Sequence, residues 1–249
     1  KQKYKILLNI SFVSAISFLF LSFLAMFFYS GGSMINNPKN PLYDESILYY
    51  SHIYNFFSDL GMTVSHSYEN NMISCILFNL SLCIVGFTFG MLFLSIRNLF
   101  SDFPILSNLA TILGIIGCIS FVGVAFTPSN LYLDSLNDPW LHIIFAHWIF
   151  RSLSGVSLLY SILIFKTKNF KNKYAYGFIL FGILVLAYVL YSEIFLKDPR
   201  AYPEYLIRHV LSQKMVVIWI LFSMYFYSIG VGEYLSNFNS NINNESENS

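Results

Sequence analysis

Charge is what this sequence has little of. Only 11% of its 249 residues are Asp, Glu, Lys or Arg, where a soluble domain carries about 25%. Half the usual charge cannot cover a water-facing surface, so a soluble globular domain is excluded. The formal net charge of +1 sets up no strong field of either sign, which gives no footing for nucleic acid or for a strongly charged partner. Cysteine is also scarce. Cys75, Cys83 and Cys118 all fall inside apolar runs; they form no CxxC pair and no extracellular disulfide framework, and read as small core residues. Alternating β-barrel patterning is missing, as are mid-span prolines and any visible internal repeat, so neither a barrel nor an inverted-repeat transporter is supported. The first apolar run is too long for a cleavable signal peptide, and no small-residue cleavage site precedes the polar loop.

What is present is apolar length. Hydrophobic residues make up 56% of the chain, with 26 Phe and 18 Tyr, and the mean hydropathy is +0.59. Six stretches reach the roughly 20 residues that a helix needs to cross a hydrocarbon core. They lie near 5–30, 70–97, 104–126, 139–165, 173–196 and 207–235. The expected fold is therefore all-α, a polytopic bundle of six transmembrane helices forming one domain over 1–235, in a multi-pass protein of the cell membrane. Trp140, Trp148 and Trp219 read as interfacial anchors or packing residues.

Orientation follows from the basic residues of the short loops. With the N-terminus inside, Lys1, Lys3, Lys5, Arg97, Lys166, Lys168, Lys171 and Lys173 face the cytoplasm, against Lys39, Lys197, Arg200 and Arg208 outside. The expected topology is N-in, C-in, and the Asn-, Ser- and Glu-rich tail 236–249 reads as disordered. The external connection 31–69 opens with Gly31-Gly32, Pro38 and Pro41. It then carries an apolar stretch, Ser46–Leu60, expected as a lid loop or a short amphipathic helix.

Polar residues inside the spans are the informative ones, because a charge there costs about 2.5–3.5 kcal/mol on insertion scales. Arg151 lies about a dozen residues into the fourth span, near the midplane, and is expected to mark the floor of a cavity. Glu193 lies about one turn inside the fifth span, and Lys214 about two turns inside the sixth. Helical spacing puts His147 on the face of Arg151, Asp138 on that of His142, Gln213 on that of His209, and Ser74 on that of Asn71. Nearly all of these fall in the external half, so a polar cavity open to the outside houses them most simply. A buried ion pair that only fixes helix packing is the plain alternative.

Three segments carry a family resemblance. Phe57-Ser58-Asp59-Leu60-Gly61-Met62-Thr63 is followed by Asn71, Ser74, Phe78 and Asn79. Phe126-Thr127-Pro128 is followed by Leu141-His142 and Ala146, and Gln213-Lys214 opens the last span. Together, over about 55–230, these resemble the six-helix membrane family called domain of unknown function 998 (DUF998). The resemblance implies a six-span bundle and no established activity. More distantly the layout is similar to the Frag1/DRAM/Sfk1 membrane proteins linked to lipid handling, an analogy of fold alone. The chain departs from the family pattern in the length of its loop before Ser58 and in its Asn-rich tail.

The leading expectation for function is binding, or modification, of a membrane lipid or other amphiphile in the external leaflet. Arg151 and Lys214 would hold an anionic headgroup, with Ser58, Asn71, Glu193 and Gln213 as further ligand-binding residues. Asp59, His142 and His209 would supply acid–base chemistry. No cofactor is identified and no metal site is assigned. Zinc hydrolases of the ceramidase and adiponectin-receptor type use Ser, Asp and His, and Ser58, Asp59, His142 and His209 are available here, with His66 and His147 in reserve. Their paired-His helix signature is missing, because His142 and His147 are five residues apart and so diverge by about 140°. A small-solute or proton transporter, or a scaffold or sensor without catalysis, are the alternatives; whether the chain is an enzyme stays open.

Overall fold

The computed structural model describes residues 2–36, 46–129, 140–168, 170–199 and 202–247. Six α-helices follow one another: α1 Gln2–Phe27, α2 Met72–Ile96, α3 Pro104–Phe126, α4 Trp140–Lys166, α5 Asn172–Leu190 and α6 Leu206–Glu247. All six are long and apolar enough to cross a membrane, with spanning segments at Lys5–Phe27, Met72–Phe100, Pro104–Phe126, Trp140–Lys166, Asn172–Phe195 and Pro203–Ser236. No strand forms among the described residues; one isolated bridge joins Val64 to Asn70. The chain is thus an all-helical, multi-pass membrane protein.

Local sequence explains the boundaries. Pro104 occupies the first turn of α3, where its missing N–H costs nothing. Pro203 opens a 3-10 turn, Pro203–Tyr205, that feeds α6. The last helix continues through Glu247, into the tail that composition reads as disordered. Asn and Ser are poor helix formers, but extending a helix already nucleated needs only one more bond per residue.

Each helix packs on the next, and α6 returns to α1, closing a ring. Side-chain bridges fix the up-and-down order. At one end His142 at the start of α4 meets the carbonyl of Thr127 just beyond α3. At the other, Lys171 and Lys173 at the start of α5 bind Glu233 on α6, at 2.7 and 3.3 Å. The contacts use small residues, as helix packing without a hydrophobic drive requires. Ser154 Oγ donates to Gly182 O between α4 and α5, and Thr88 Oγ1 to Ser14 Oγ between α2 and α1. Phe20, Phe87, Ile112, Ile218 and Phe222 point outward instead. That outer apolar belt suits lipid and would be a liability in water. Trp140, Trp148 and Trp219 are all outward-facing. The three cysteines are free, Cys75 and Cys118 buried and Cys83 half-buried.

Among the described residues, the connection between α1 and α2 holds the largest non-helical feature. Over Ser46–Leu60 the chain forms turns ending in a 3-10 segment, Phe57–Gly61, in place of a continuous amphipathic helix. Its entry is set by Gly31 and Gly32, with φ of +99° and +79°, a left-handed geometry that glycine adopts without penalty. A Cβ on Gly31 would run into the backbone of Leu48, and one on Gly32 into that of His66 and Ser67. Residues 46–71 therefore fold back over the end of the ring, called the loop end below.

Candidate functional site

The loop end is organised by two buried side chains, Asn55 and Asp59. Asn55 Oδ1 accepts from Ser51 N at 2.9 Å, and its Nδ2 donates to Gly32 O at 2.9 Å and to Asp59 Oδ2 at 3.1 Å. The same Asp59 oxygen accepts from Phe56 N at 3.0 Å and lies 3.5 Å from His66 Nε2. Asp59 is only 2% exposed, and a carboxylate at that depth needs such donors. Tyr29 and Tyr50 stand around it, their phenols donating to Gly32 O and to the carbonyls of Asn55 and Phe56. Burial, and after it the negative charge of Asp59, raises both phenol pKa values well above 10, which keeps both hydroxyls as donors.

Asn71 ties this loop to α2. Its Oδ1 accepts from Ser30 N at 3.2 Å, and its Nδ2 donates to Met62 O at 2.8 Å and Leu60 O at 3.4 Å. Ser74 Oγ adds a bond to Leu60 O at 3.1 Å. Expected as a ligand-binding residue, Asn71 is a staple whose polar atoms are all used within the protein.

From α6, Gln213 Oε1 accepts from Phe57 N at 3.1 Å. Lys214 Nζ donates to His52 O at 2.6 Å and lies over the rings of Tyr50 and Phe57, at 4.8 and 5.7 Å. His209 Nε2 lies 3.0 Å from Lys197 O, so that nitrogen carries the proton, and its ring stacks edge-on against Phe56. On α4, His142 Nδ1 is 2.6 Å from Thr127 O. A carbonyl only accepts, so Nδ1 carries the proton and Nε2 of the neutral ring keeps its lone pair.

Between α4 and α5 lies an ion cluster. Arg151 Nη2 binds Glu193 Oε1 at 2.6 Å, and His147 Nδ1 lies 3.4 Å from the same oxygen. Glu193 sits in a π-helical turn, Tyr191–Phe195, that ends α5; such turns recur at functional sites. The three side chains are 44%, 31% and 43% exposed in the order Arg151, Glu193, His147. They therefore sit on the flank of the bundle as well as beside its interior. Arg151 enters α4 eleven residues after Trp140, roughly 16 Å along the axis. Its side chain runs back toward the helix N-terminus, the direction a helical Cβ takes, and meets Glu193 near the end of α5.

Two cavities meet at the loop end. The larger, of about 390 Å3, lies between α4, α5, α6 and the loop. Its lining includes Ser58, Asp59, His142, His147, Glu193, Asp198, His209 and Gln213. The smaller, of about 80 Å3, runs inside the ring among Phe18, Phe78, Val85, Phe89, Phe121 and Ile220. Ser58, His142, Ala146, Phe150 and Gln213 line both. Six of the nine expected site residues thus converge: Ser58, Asp59, His142, Glu193, His209 and Gln213. Arg151, Lys214 and Asn71 do not line the cavity. Arg151 is drawn outward by Glu193 and is not a floor, and Lys214 is turned toward the loop, where a carbonyl and two rings take up its charge.

Spacing missed Asn55, because a lone Asn in an apolar stretch carries no visible signal. His147 was legible as the i,i+4 partner of Arg151. Asp138, paired by spacing with His142, lies outside the described residues, as do Lys39, Asp44, Glu45, Asp134 and Arg200. Among the described residues no group of three His, Cys, Asp or Glu is placed to hold a metal ion. Comparison with protein-family models, with curated proteins and with solved structures finds no match to this chain.

Proposed function

We propose that this chain binds an amphiphile drawn from one leaflet of the cell membrane. The observation that carries the reading is the shared wall of the two cavities: Ser58, His142, Ala146, Phe150 and Gln213 border, on one side, a chamber that carries charged and polar side chains among apolar ones and, on the other, a more thoroughly apolar slot. An amphiphile changes polarity over a few bonds in the same way, its head in the first and the start of its tail in the second. The slot is about half the roughly 150 Å3 of an engineered cavity that takes benzene. It therefore admits the first carbons of a chain, and a longer tail requires its Phe side chains to turn.

The ion cluster on the flank supports lateral entry. Arg151, Glu193 and His147 bring charge to the surface between α4 and α5, inside segments apolar enough to span a membrane, where an isolated charge is costly. Mutual pairing lowers that cost while leaving a polar threshold for a headgroup to cross. The basic-residue bias orients the molecule with both termini in the cytoplasm, so the chamber faces the external leaflet. The DUF998 resemblance is compatible with this layout. Among the described residues the chamber lining carries Asp59, Glu193 and Asp198 and no Lys or Arg. A zwitterionic or amine-bearing head therefore suits it better than the anionic one that Arg151 and Lys214 would have held. Transport is the weaker reading, because the lining that continues inward is Phe, Val and Ile.

The test is to solubilise the full chain gently and identify co-purifying molecules by native mass spectrometry. One amphiphile per chain is expected, with thermal stability lost on stripping and restored by adding the lipid extract back. A lipid-free protein whose melting point ignores added lipid would overturn the proposal.

A further inference from the structure

Three polar groups at the shared wall have no partner among the described residues, and their chemistry is specific. Ser58 Oγ makes no hydrogen bond among the described residues, although the residue borders both cavities. Gln213 has its amide orientation fixed: a backbone N–H can only meet oxygen, so the bond from Phe57 N at 3.1 Å assigns Oε1 to that side. The NH2 group is left without a partner among the described residues. His142 is fixed in the same manner by Thr127 O at 2.6 Å, which leaves Nε2 as an acceptor. The wall thus offers one hydroxyl, one amide donor and one imidazole lone pair. All three lie where the lining turns from polar to apolar.

Each of these groups opens onto a cavity, and a ligand that completes their bonds there takes the place of water and gains where its geometry fits better. We infer that this wall recognises the acyl linkage of the amphiphile, the ester or amide carbonyl that joins head to tail. A carbonyl oxygen has two lone pairs, which match the Gln213 NH2 and the Ser58 hydroxyl. His142 Nε2 takes a proton donor on the head side of the linkage, a neighbouring hydroxyl or the amide N–H. The inference rests on the amphiphile reading and narrows it. A purely alkyl, ether-linked amphiphile has the same shape but lacks the carbonyl, and it leaves both donors unmet.

The experiment compares 1-lauroylglycerol with 1-O-dodecylglycerol, and 1-lauroyl lysophosphatidylcholine with its alkyl ether. Each pair competes at equal concentration for the purified full chain, read by native mass spectrometry. The acyl member should be favoured at least about five-fold, the lower end of what two net hydrogen bonds contribute. Ser58→Ala breaks no hydrogen bond among the described residues and should lower the preference at least about two-fold, the share of one bond. Gln213→Glu keeps an acceptor for Phe57 N while removing the amide donor, and should do the same. Should that variant fail to fold by thermal melting, Ser58→Ala alone decides. Equal binding of acyl and ether forms to the unaltered protein overturns the inference and leaves amphiphile binding standing. A preference that both substitutions leave undiminished also overturns it. If neither member of either pair binds, the amphiphile reading itself falls.

Discussion

The ammonium of Lys214 donates to the main-chain carbonyl of His52, 2.6 Å away and 162 residues apart in sequence. The same group lies 4.8 Å from the centre of the Tyr50 ring, so one α6 side chain clamps the loop by a charge-assisted hydrogen bond and a cation–π contact. The first is worth about 1.5–3 kcal/mol and the second about 0.5–2. Lys214→Met should therefore lower stability by about 2 kcal/mol, part of the loss being offset by its apolar replacement. It should also open residues 46–61 to proteolysis before the helices unfold. Lys214→Arg keeps the charge and should lie between. Limited digestion followed by mass mapping separates these outcomes from a uniform loss of structure.

The His52 ring gives the clamp a pH dependence. Its pKa is depressed, first by burial and then by the charge of Lys214. A base whose folded pKa lies below its unfolded value of about 6.5 is stabilising as the neutral form above that value. Stability is then lost as pH falls from about 6.5 toward the folded pKa, where the unfolded chain holds more protons. Hydrogen-exchange protection of residues 46–61, corrected for the intrinsic pH dependence of amide exchange, should fall between pH 7.5 and 5.5, and His52→Asn should flatten that part of the change. An unchanged pH response in the variant would assign it elsewhere.

Asn55 is the structural centre of the loop, and Ser58 is not. Asn55→Ala would orphan Ser51 N and remove two donated bonds, in a residue that is fully buried. At about 0.5–1.5 kcal/mol net per bond, with about 1–3 for a buried orphan, the expected cost is about 2–6 kcal/mol. Ser58→Ala should stay within about 0.5 kcal/mol. Thermal melts of the two variants, three residues apart, should therefore differ sharply. Asp59→Asn should fall between them, because one amide oxygen can still accept from Phe56 N.

Arg151 and Glu193 should be coupled. Exposed pairs in water give about 0.2–1 kcal/mol, but these two lie in segments apolar enough to span a membrane. A cycle of Arg151→Met, Glu193→Leu and the double variant should return a coupling above about 1 kcal/mol. The double variant should be more stable than Glu193→Leu alone, which leaves an unpaired guanidinium in the membrane. Additive losses would show that solvent already screens the pair.

The six helices were legible because continuous apolar length is a signal carried by each segment alone. The convergence of Ser58, Asp59, His142, Glu193, His209 and Gln213 was only partly legible. Cost marked these residues as anomalous, but nothing in a sequence says which faces of separate helices meet. For Arg151 and Lys214 the sequence misleads for one reason: it gives the depth of the backbone, whereas each side chain is long enough to carry its charge toward the loop end. The turns of Ser46–Leu60 were hidden because side-chain-to-backbone bonds from Asn55 and Asp59 outcompete a helix there, and hydropathy does not register them.

The π turn at Tyr191–Phe195 bears on how this site tolerates change in chain length. A π turn encloses one more residue than an α turn, so deleting a single residue from Tyr188–Ser192 would let α5 close as regular α-helix. Both kinds of turn complete one circuit, so what lies beyond the deletion would keep nearly its former facing. Glu193 would stay beside Arg151 and His147, and the hydropathy of the span would be almost unaltered. The extra residue thus gives this end of α5 room to lose one position without turning its acid away from α4. A chain with that residue missing would retain six spans and the threshold between two of them.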